Sequence, residues 1–550
     1  MRQTVGRPFR KIDAEDKLRG SARYAADYSA SGMLWVKVLR SHVPRARVEG
    51  IDTGPAMAIP GVKGVYTAKD IPGSNRVGPR TKDEFLLCED AVHAVGDPMV
   101  VVAADSEEAA QEAAEHVEIQ LRELKPVLTI EEAICPNAPE IHEGGNLVKV
   151  QSIVSGHAEE ALESADVVIS NTYRTQMIEH AYMEPEAAFA AYEDGKLTVR
   201  MPSKYINADH GELAAILNLE LEDLRLLLST VGGYFGGKSG ISPAYYCALV
   251  TYLTGKPSKM VYTREESFAS STKRHPCIIE HTLGAQNDGR LIAAKIRILA
   301  DAGAYTGFSP SVLSRSAVHA AGPYEVPNVS VDAYLVHTNN VNSGAMRGFG
   351  VPQTAFAHEA QMDLLAARIG MDPVDVRKLN FLKAGSKTIT GQRLAHSVGL
   401  EKTCDEVVRL IRKDEECPNR NDERYMYGWG LASMYYGIGS TGIPNPARVI
   451  LECLGDGAVR LLAGVTDGGQ GAATALSQIV AETLGIPVEK IRFIQPATDV
   501  TPDSGTSTAS RLTYVVGRAL YEAGRALRKE WKIYAARLLG CPAEMVRFHG

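Results

Sequence analysis

Helical stretches in this 550-residue chain repeatedly end on glycine with proline just beyond, and strand-like apolar runs stand between them. Ser242-Pro243 opens a helix that stops at Gly255-Lys256-Pro257. The stripe Phe356, Ala360, Leu364 and Ala367 stops at Gly370 with Pro373 beyond, and the stripe Leu476, Ile479, Val480 and Leu484 stops at Gly485 with Pro487 beyond. Glycine takes the left-handed residue that closes a helix, and proline cannot continue one. Strand-like runs such as Lys196–Met201 and Leu224–Val231 alternate with these helices. The alternation predicts a mixed α/β body from about residue 148 onward, in two halves with a break near residues 385–395.

The first 125 residues read differently. Strand-like Met33–Leu39 and Pro98–Ala103 flank a region that ends in a short helix, with Ser106 as its cap, Glu107 and Glu108 in its first turn and Ala109, Ala110, Ala113, Ala114 and Val117 as an apolar stripe. This is a compact α+β domain. The stretch Arg122–Asn146, with Pro126, Pro136, Pro139 and Gly144-Gly145, reads as a linker.

At 45% hydrophobic and 23% charged residues the chain is an ordinary globular protein. A net charge of -7 without a long Lys/Arg run excludes a nucleic-acid partner. The basic start lacks the apolar core of a secretory signal, and no apolar run is long enough to span a bilayer, so the expected location is cytoplasmic. Eight scattered cysteines, Cys88, Cys135, Cys247, Cys277, Cys404, Cys417, Cys453 and Cys541, form no CxxC pair and read as reduced thiols. If the chain handles electrons, another chain must carry them away.

Four glycine-rich turns carry the chemistry. Gly232-Gly233-Tyr234-Phe235-Gly236-Gly237-Lys238-Ser239 lies between an apolar run and a helix; Gly344-Ala345-Met346-Arg347-Gly348-Phe349-Gly350 places an arginine and an aromatic among glycines. Gly464-Val465-Thr466-Asp467-Gly468-Gly469-Gln470-Gly471 adds an amide, and Gly505-Thr506-Ser507-Thr508-Ala509-Ser510-Arg511 adds hydroxyls and an arginine. Helix starts preceded by glycines offer bare N–H groups to anions and polar cofactors. The four together suit a long, phosphate-bearing cofactor gripped from several sides. The first turn also satisfies GxxxxGK[ST], and the run Ile296–Asp301 resembles a Walker B strand, so a P-loop ATPase holding phosphates on Lys238 is a competing reading. The bulk of Tyr234 and Phe235 argues against it.

On these residues the sequence resembles the molybdenum hydroxylase family of xanthine dehydrogenases and aldehyde oxidases, over essentially the whole chain. Lys17-Leu18-Arg19-Gly20-Ser21-Ala22-Arg23-Tyr24 and Pro60-Gly61-Val62 are similar to its α/β hammerhead domain, and His180-Ala181-Tyr182-Met183-Glu184-Pro185 to its EP segment. GGYFGGK is similar to the family's GGGFGGK with Tyr234 for a glycine; AMRGFG, GVTDGGQG and GTSTASR follow in family order. The resemblance implies an α+β chain: a hammerhead domain (1–125) followed by a two-part mixed α/β molybdenum-cofactor domain (126–385 and 386–550).

It further implies molybdopterin with molybdenum, in the cytosine dinucleotide form for the hydroxyl-rich GTSTASR. Its contacts would be Lys204, Gly233, Phe235, Gly236, Arg347, Gly469, Gln470, Gly471, Ala509 and Ser510, with no side chain ligating the metal. The implied reaction is hydroxylation of an N-heterocycle (purine or nicotinate-like) or an aldehyde with water as oxygen source, the metal lowering the pKa of water and accepting electrons. Iron–sulfur and flavin (FAD) subunits are the implied partners.

Departures from the family pattern bear on substrate. Lys204, in Pro202-Ser203-Lys204-Tyr205, stands where the family has a glutamine facing the metal, and Ser239 where purine-oxidising members have a glutamate. Arg315 falls at the spacing of their substrate arginine, and Phe349 keeps one ring-stacking aromatic while Gly439 replaces the other. Gly344 stands at the cysteine of carbon monoxide dehydrogenases, which disfavours a molybdenum–copper site. The family's glutamate base is expected beyond Gly550, so the catalytic base is assigned to no residue here. Either the sequence is truncated or a further chain completes the molybdenum domain. A non-catalytic scaffold that binds a partner chain is the second class of reading.

Overall fold

The computed structural model of the protein describes residues 4–415, 424–439 and 444–548; Cys417 and Gly550 lie outside them. The chain forms two compact units, the first from Met1–Lys125, His180–Thr272 and Gly437–Gly550, the second from Pro126–Glu179 and Lys273–Tyr436.

The first unit is built on a seven-stranded sheet ordered Leu224–Leu228, Lys196–Met201, Ala187–Glu193, Ser258–Val261, Leu34–Arg40, Pro98–Ala104 and Val62–Tyr66. The N-terminal segment supplies three strands, and the parallel pairing of Leu34 with Ser258 joins them to the rest. Pro98–Ala104 is buried from Met99 to Ala104, as its unbroken apolar run requires of a strand covered on both faces. Helix Pro243–Thr254 is buried from Pro243 to Thr251 and closes on Gly255 at φ 69°. Ser106 Oγ accepts from Ala109 N at 3.1 Å and caps Glu107–Glu115, as expected. A three-stranded sheet, Ile450–Cys453, Val459–Leu462 and Ile491–Phe493, shares a separate core with helices Ala472–Leu484 and Gly517–Leu539.

The second unit carries a five-stranded sheet ordered Val167–Thr175, Cys277–Ala285, Leu291–Asp301, Asn328–Val336 and Leu147–Ser155. Helices Ser309–Val318 and Val351–Ile369 contribute Leu313, Ala317, Ala357, Met362 and Leu365 to its core.

The stretch read as a linker is in part a packed element. Val127, Ile130, Ala133 and Ile141 form a core cluster with Ile278, Leu299 and Val336, and Thr129 caps the single turn Ile130–Ala133. Its prolines interrupt any periodic apolar signal, while the apolar residues are spaced to reach a sheet distant in sequence. Cys88, Cys247, Cys277 and Cys404 are free and buried; Cys135 and Cys453 are exposed.

Candidate functional site

In the first unit the structure gathers three of the four glycine turns around Tyr234 and Lys204. Tyr234 O–H donates to the Ser507 carbonyl at 3.2 Å and accepts from Gln470 Nε2 at 3.2 Å. Its ring fills the space beside Gly468, where a Cβ would come within 2.2 Å of it. Thr466 N donates to Ser507 Oγ at 2.8 Å, and Thr466 Oγ1 to the Ser203 carbonyl at 2.7 Å. Ser507 N donates to the Lys204 carbonyl at 3.1 Å, and Lys204 Nζ to the Gly236 carbonyl at 3.1 Å. One dipeptide, Ser203-Lys204, thus bonds to all three turns.

The helix Ala472–Leu484 does not keep its amino end bare. Asp467 Oδ1 accepts from Gly469 N and Gly471 N, and Oδ2 from Ala473 N at 3.0 Å, so the carboxylate occupies the place expected for a ligand anion. Arg511 is likewise structural: it donates to the carbonyls of Ser504, Thr506 and Pro446. Gln470 spends its side chain within the turns, on Gly468 N, Tyr234 and the Thr466 carbonyl. Sequence reasoning missed these roles, although an Asp two residues before a glycine is an Asx-turn signal that could have identified Asp467.

Lys238 overturns the P-loop reading. Its side chain is 1% exposed, forms an ion pair with Glu184 and lies 4.7 Å from the Tyr182 ring centroid. Glu184 Oε2 also accepts from Gly232 N at 2.7 Å. A lysine committed to an internal carboxylate cannot grip a phosphate. Asp301, the supposed Walker B residue, is used up in the second unit by Gly303 N, Thr338 Oγ1 and Asn340 Nδ2. The EP segment therefore braces the GGYFGGK turn from inside.

The electrostatics centre on helix Ile206–Leu217. Burial pushes Lys204, only 5% exposed, down to about 8, while Asp209 opposes that shift. Burial raises Asp209 to about 7; its hydrogen bonds from Ser203 Oγ and Tyr245 O–H act against this, and Glu212 adds to it.

The second unit holds the fourth turn. Arg347 is exposed, and its carbonyl accepts from Arg274 at 2.8 Å. Phe349 is half-buried at φ 48°, and the Gly350 carbonyl accepts from Ser316 Oγ at 3.1 Å, next to Arg315. Arg315 is buried, 4.7 Å from the Tyr436 ring centroid. His319, one turn on, lies 4.5 Å from the Tyr435 ring and 5.8 Å from Tyr436. Ser239, half-buried, and Gly439, whose N–H donates to the Ala509 carbonyl at 2.7 Å, belong to the first unit.

The turns of the first unit fit a large polar cofactor on their own evidence. Phe235, Ala509 and Ser510 are non-glycine residues held at φ 44°, 54° and 53°, a conformation that costs energy and persists where surroundings over-determine it. Among the described residues the N–H groups of Phe235, Gln470, Ala509 and Ser510 meet no acceptor, and a Cβ at Gly469 would meet nothing within 4 Å. Strained backbone with free N–H donors, beside the open space at Gly469, suits a large polar cofactor.

Comparison with known proteins agrees. Residues 141–381 and 403–550 each match the molybdopterin cofactor-binding domain, and 19–125 match the a/b hammerhead domain of aldehyde oxidase and xanthine dehydrogenase. The chain is 44% identical over 404 residues to the nicotinate dehydrogenase large molybdopterin subunit of Eubacterium barkeri, covering 73% of this chain and 95% of that one. It is 36% identical over 545 residues to a probable xanthine dehydrogenase subunit of Bacillus subtilis, covering 98% and 73%. Among solved structures, the aldehyde oxidoreductase of Desulfovibrio gigas superposes with a TM-score of 0.90 at 29% identity, over 97% of this chain and 61% of that one. The chain belongs to the molybdenum hydroxylase family of xanthine dehydrogenases and aldehyde oxidases, with a hammerhead domain followed by molybdopterin-binding domains.

Proposed function

We propose that this chain is the molybdopterin-binding large subunit of an oxidoreductase that hydroxylates an N-heterocycle of the purine or nicotinate type, or an aldehyde, with water as the oxygen source. The observation that carries the reading is the cluster of three glycine turns joined through Tyr234 and Lys204, with four backbone N–H groups left for a ligand. When bound, molybdopterin supplies a metal that activates water and accepts the substrate's electrons.

The chain's own residues supply binding and orientation. Gly233, Phe235 and Gly236 would hold the cofactor from the GGYFGGK turn, the Gln470 N–H from the second and Ala509 and Ser510 from the third, with Lys204 beside them; Gly469 and Gly471, whose N–H groups are taken by Asp467, would leave room for its approach. In the second unit, Arg347 of the AMRGFG turn is proposed as a cofactor contact and Arg315 and Phe349 as substrate contacts; in the first, Ser239 is proposed as a substrate contact. The cationic Arg315 favours an anionic ring such as a heterocyclic carboxylate. The hydroxyl-rich Gly505–Arg511 turn supports the cytosine dinucleotide form. Iron–sulfur and flavin subunits are proposed as partners, since the scattered cysteines make no cluster motif. The domain assignment proposed with this reading is 1–125, 126–385 and 386–550.

Elemental analysis and released-pterin fluorescence on natively purified protein, with mass spectrometry of every co-purifying chain, test the proposal. Near-stoichiometric molybdenum and pterin, with turnover of nicotinate, xanthine or an aldehyde, is the expected result. Folded protein free of both would overturn it and leave the scaffold reading.

A further inference from the structure

Lysine is seldom fully buried, because its ammonium loses hydration that an interior rarely replaces. Lys204 is buried nonetheless, and its position relates to all three turns of the first unit. Its ammonium bonds to the Gly236 carbonyl in GGYFGGK, its own carbonyl accepts from Ser507 N in the third turn, and the adjacent Ser203 carbonyl accepts from Thr466 Oγ1 in the second. On helix Ile206–Leu217 the carboxylate of Asp209, held by Ser203 Oγ and Tyr245 O–H, is the nearby anion, with Glu212 behind it on Tyr245. A charge in a poorly solvated interior acts on its neighbours far more strongly than one in water. A positive charge there favours the reduced form of any redox group beside it.

We propose that Lys204 is a positioning residue that fixes the GGYFGGK turn through the Gly236 carbonyl and, by its charge, raises the reduction potential of the cofactor gripped there. This rests on the reading of the three turns as a molybdopterin site. Burial lowers the amine only to about 8, so Lys204 still carries its charge at neutral pH and its removal changes the local field.

The test uses the holoenzyme with all its co-purifying subunits, comparing wild type with K204Q, K204M and K204R. Molybdenum and pterin content are measured first, then the molybdenum midpoint potential by titration followed with electron paramagnetic resonance. K204Q is expected to retain molybdenum with its midpoint shifted to more negative potential, and K204R to stay near the wild-type value. An unshifted midpoint in folded, molybdenum-loaded K204Q overturns the proposal. K204M, with a similar stem and no charge, repeats the reading if K204Q does not fold. Loss of the fold in both makes Lys204 a structural cation only, which also overturns it. Wild-type protein lacking molybdenum and pterin fails the underlying functional reading, a result distinct from any of these.

Discussion

Lys238 and Glu184 form an ion pair inside the first unit, with side chains 1% and 10% exposed. Removing one partner of such a pair leaves the other charge buried and unpaired, at a cost of about 3–5 kcal/mol. Lys238→Met is therefore expected to lower stability by that amount in urea unfolding, with much of the loss recovered in the Lys238→Met, Glu184→Gln double variant. A loss below about 1 kcal/mol, in the range of exposed pairs, would contradict the placement of this lysine.

Asp467 stands at the amino end of helix Ala472–Leu484 and accepts three backbone N–H groups. Losing a cap of this kind costs about 0.5–2 kcal/mol. Asp467→Ala should destabilise the protein by that range, whereas Asp467→Asn, which keeps an oxygen acceptor, should cost less. Hydrogen exchange localises the effect: faster exchange at Gly469, Gly471 and Ala473 is expected in the alanine variant, and unchanged protection there would rule out the capping role.

Burial holds His275 and His281 at about 3 and His319 at about 4, all in the second unit. Their unfolded counterparts titrate near 6.5, so as pH falls below that value the unfolded chain takes up protons that the folded chain refuses. Stability from these groups is complete above about 6.5 and is lost progressively down to about 4 for His319 and about 3 for His275 and His281. His319 Nδ1 is 2.8 Å from the Arg315 carbonyl, a bond in which only the nitrogen can donate, and glutamine can replace that donor. His319→Gln is thus expected to reduce the fall in urea midpoint between pH 6.5 and 4.5. Identical slopes in the two proteins would show that His319 titrates normally when folded.

The parts of the fold legible in the sequence are those written locally. Gly255, Gly370 and Gly485 close their helices at φ 69°, 68° and 74°, and Ser106 caps as its position announces, because each depends on a few adjacent residues. The seven-stranded sheet was not legible: Leu34 pairs with Ser258 across more than two hundred residues, and nothing near either specifies the other. The site divides in the same way. The glycine turns were recognisable as turns, and the bulk of Tyr234 was visibly at odds with a phosphate loop. The partner that captures Lys238 lies 54 residues upstream, and the carbonyl that Tyr234 bonds lies 273 residues downstream. Helix ends are encoded by conformational preference, whereas the roles of Lys238, Tyr234 and Lys204 are set by what the fold brings against them.

Tyr234 and Gly468 give the sharpest test of that long-range packing. An alanine Cβ at Gly468 would lie 2.2 Å from the Tyr234 ring, far inside van der Waals contact, so Gly468→Ala must displace the ring and break its bonds to Ser507 and Gln470. Overpacking of this kind costs about 1–3 kcal/mol. Tyr234→Gly removes the obstacle along with the same bonds, so Gly468→Ala should cost little in that background. Residues in direct contact characteristically show such non-additivity. A double-mutant cycle by urea unfolding is expected to give a coupling of about 1–3 kcal/mol, with Tyr234→Phe alone losing about 1 kcal/mol for its hydroxyl. Additive losses would mean that the ring does not lie against the second turn, and the joining of the three turns through Tyr234 would fall with it.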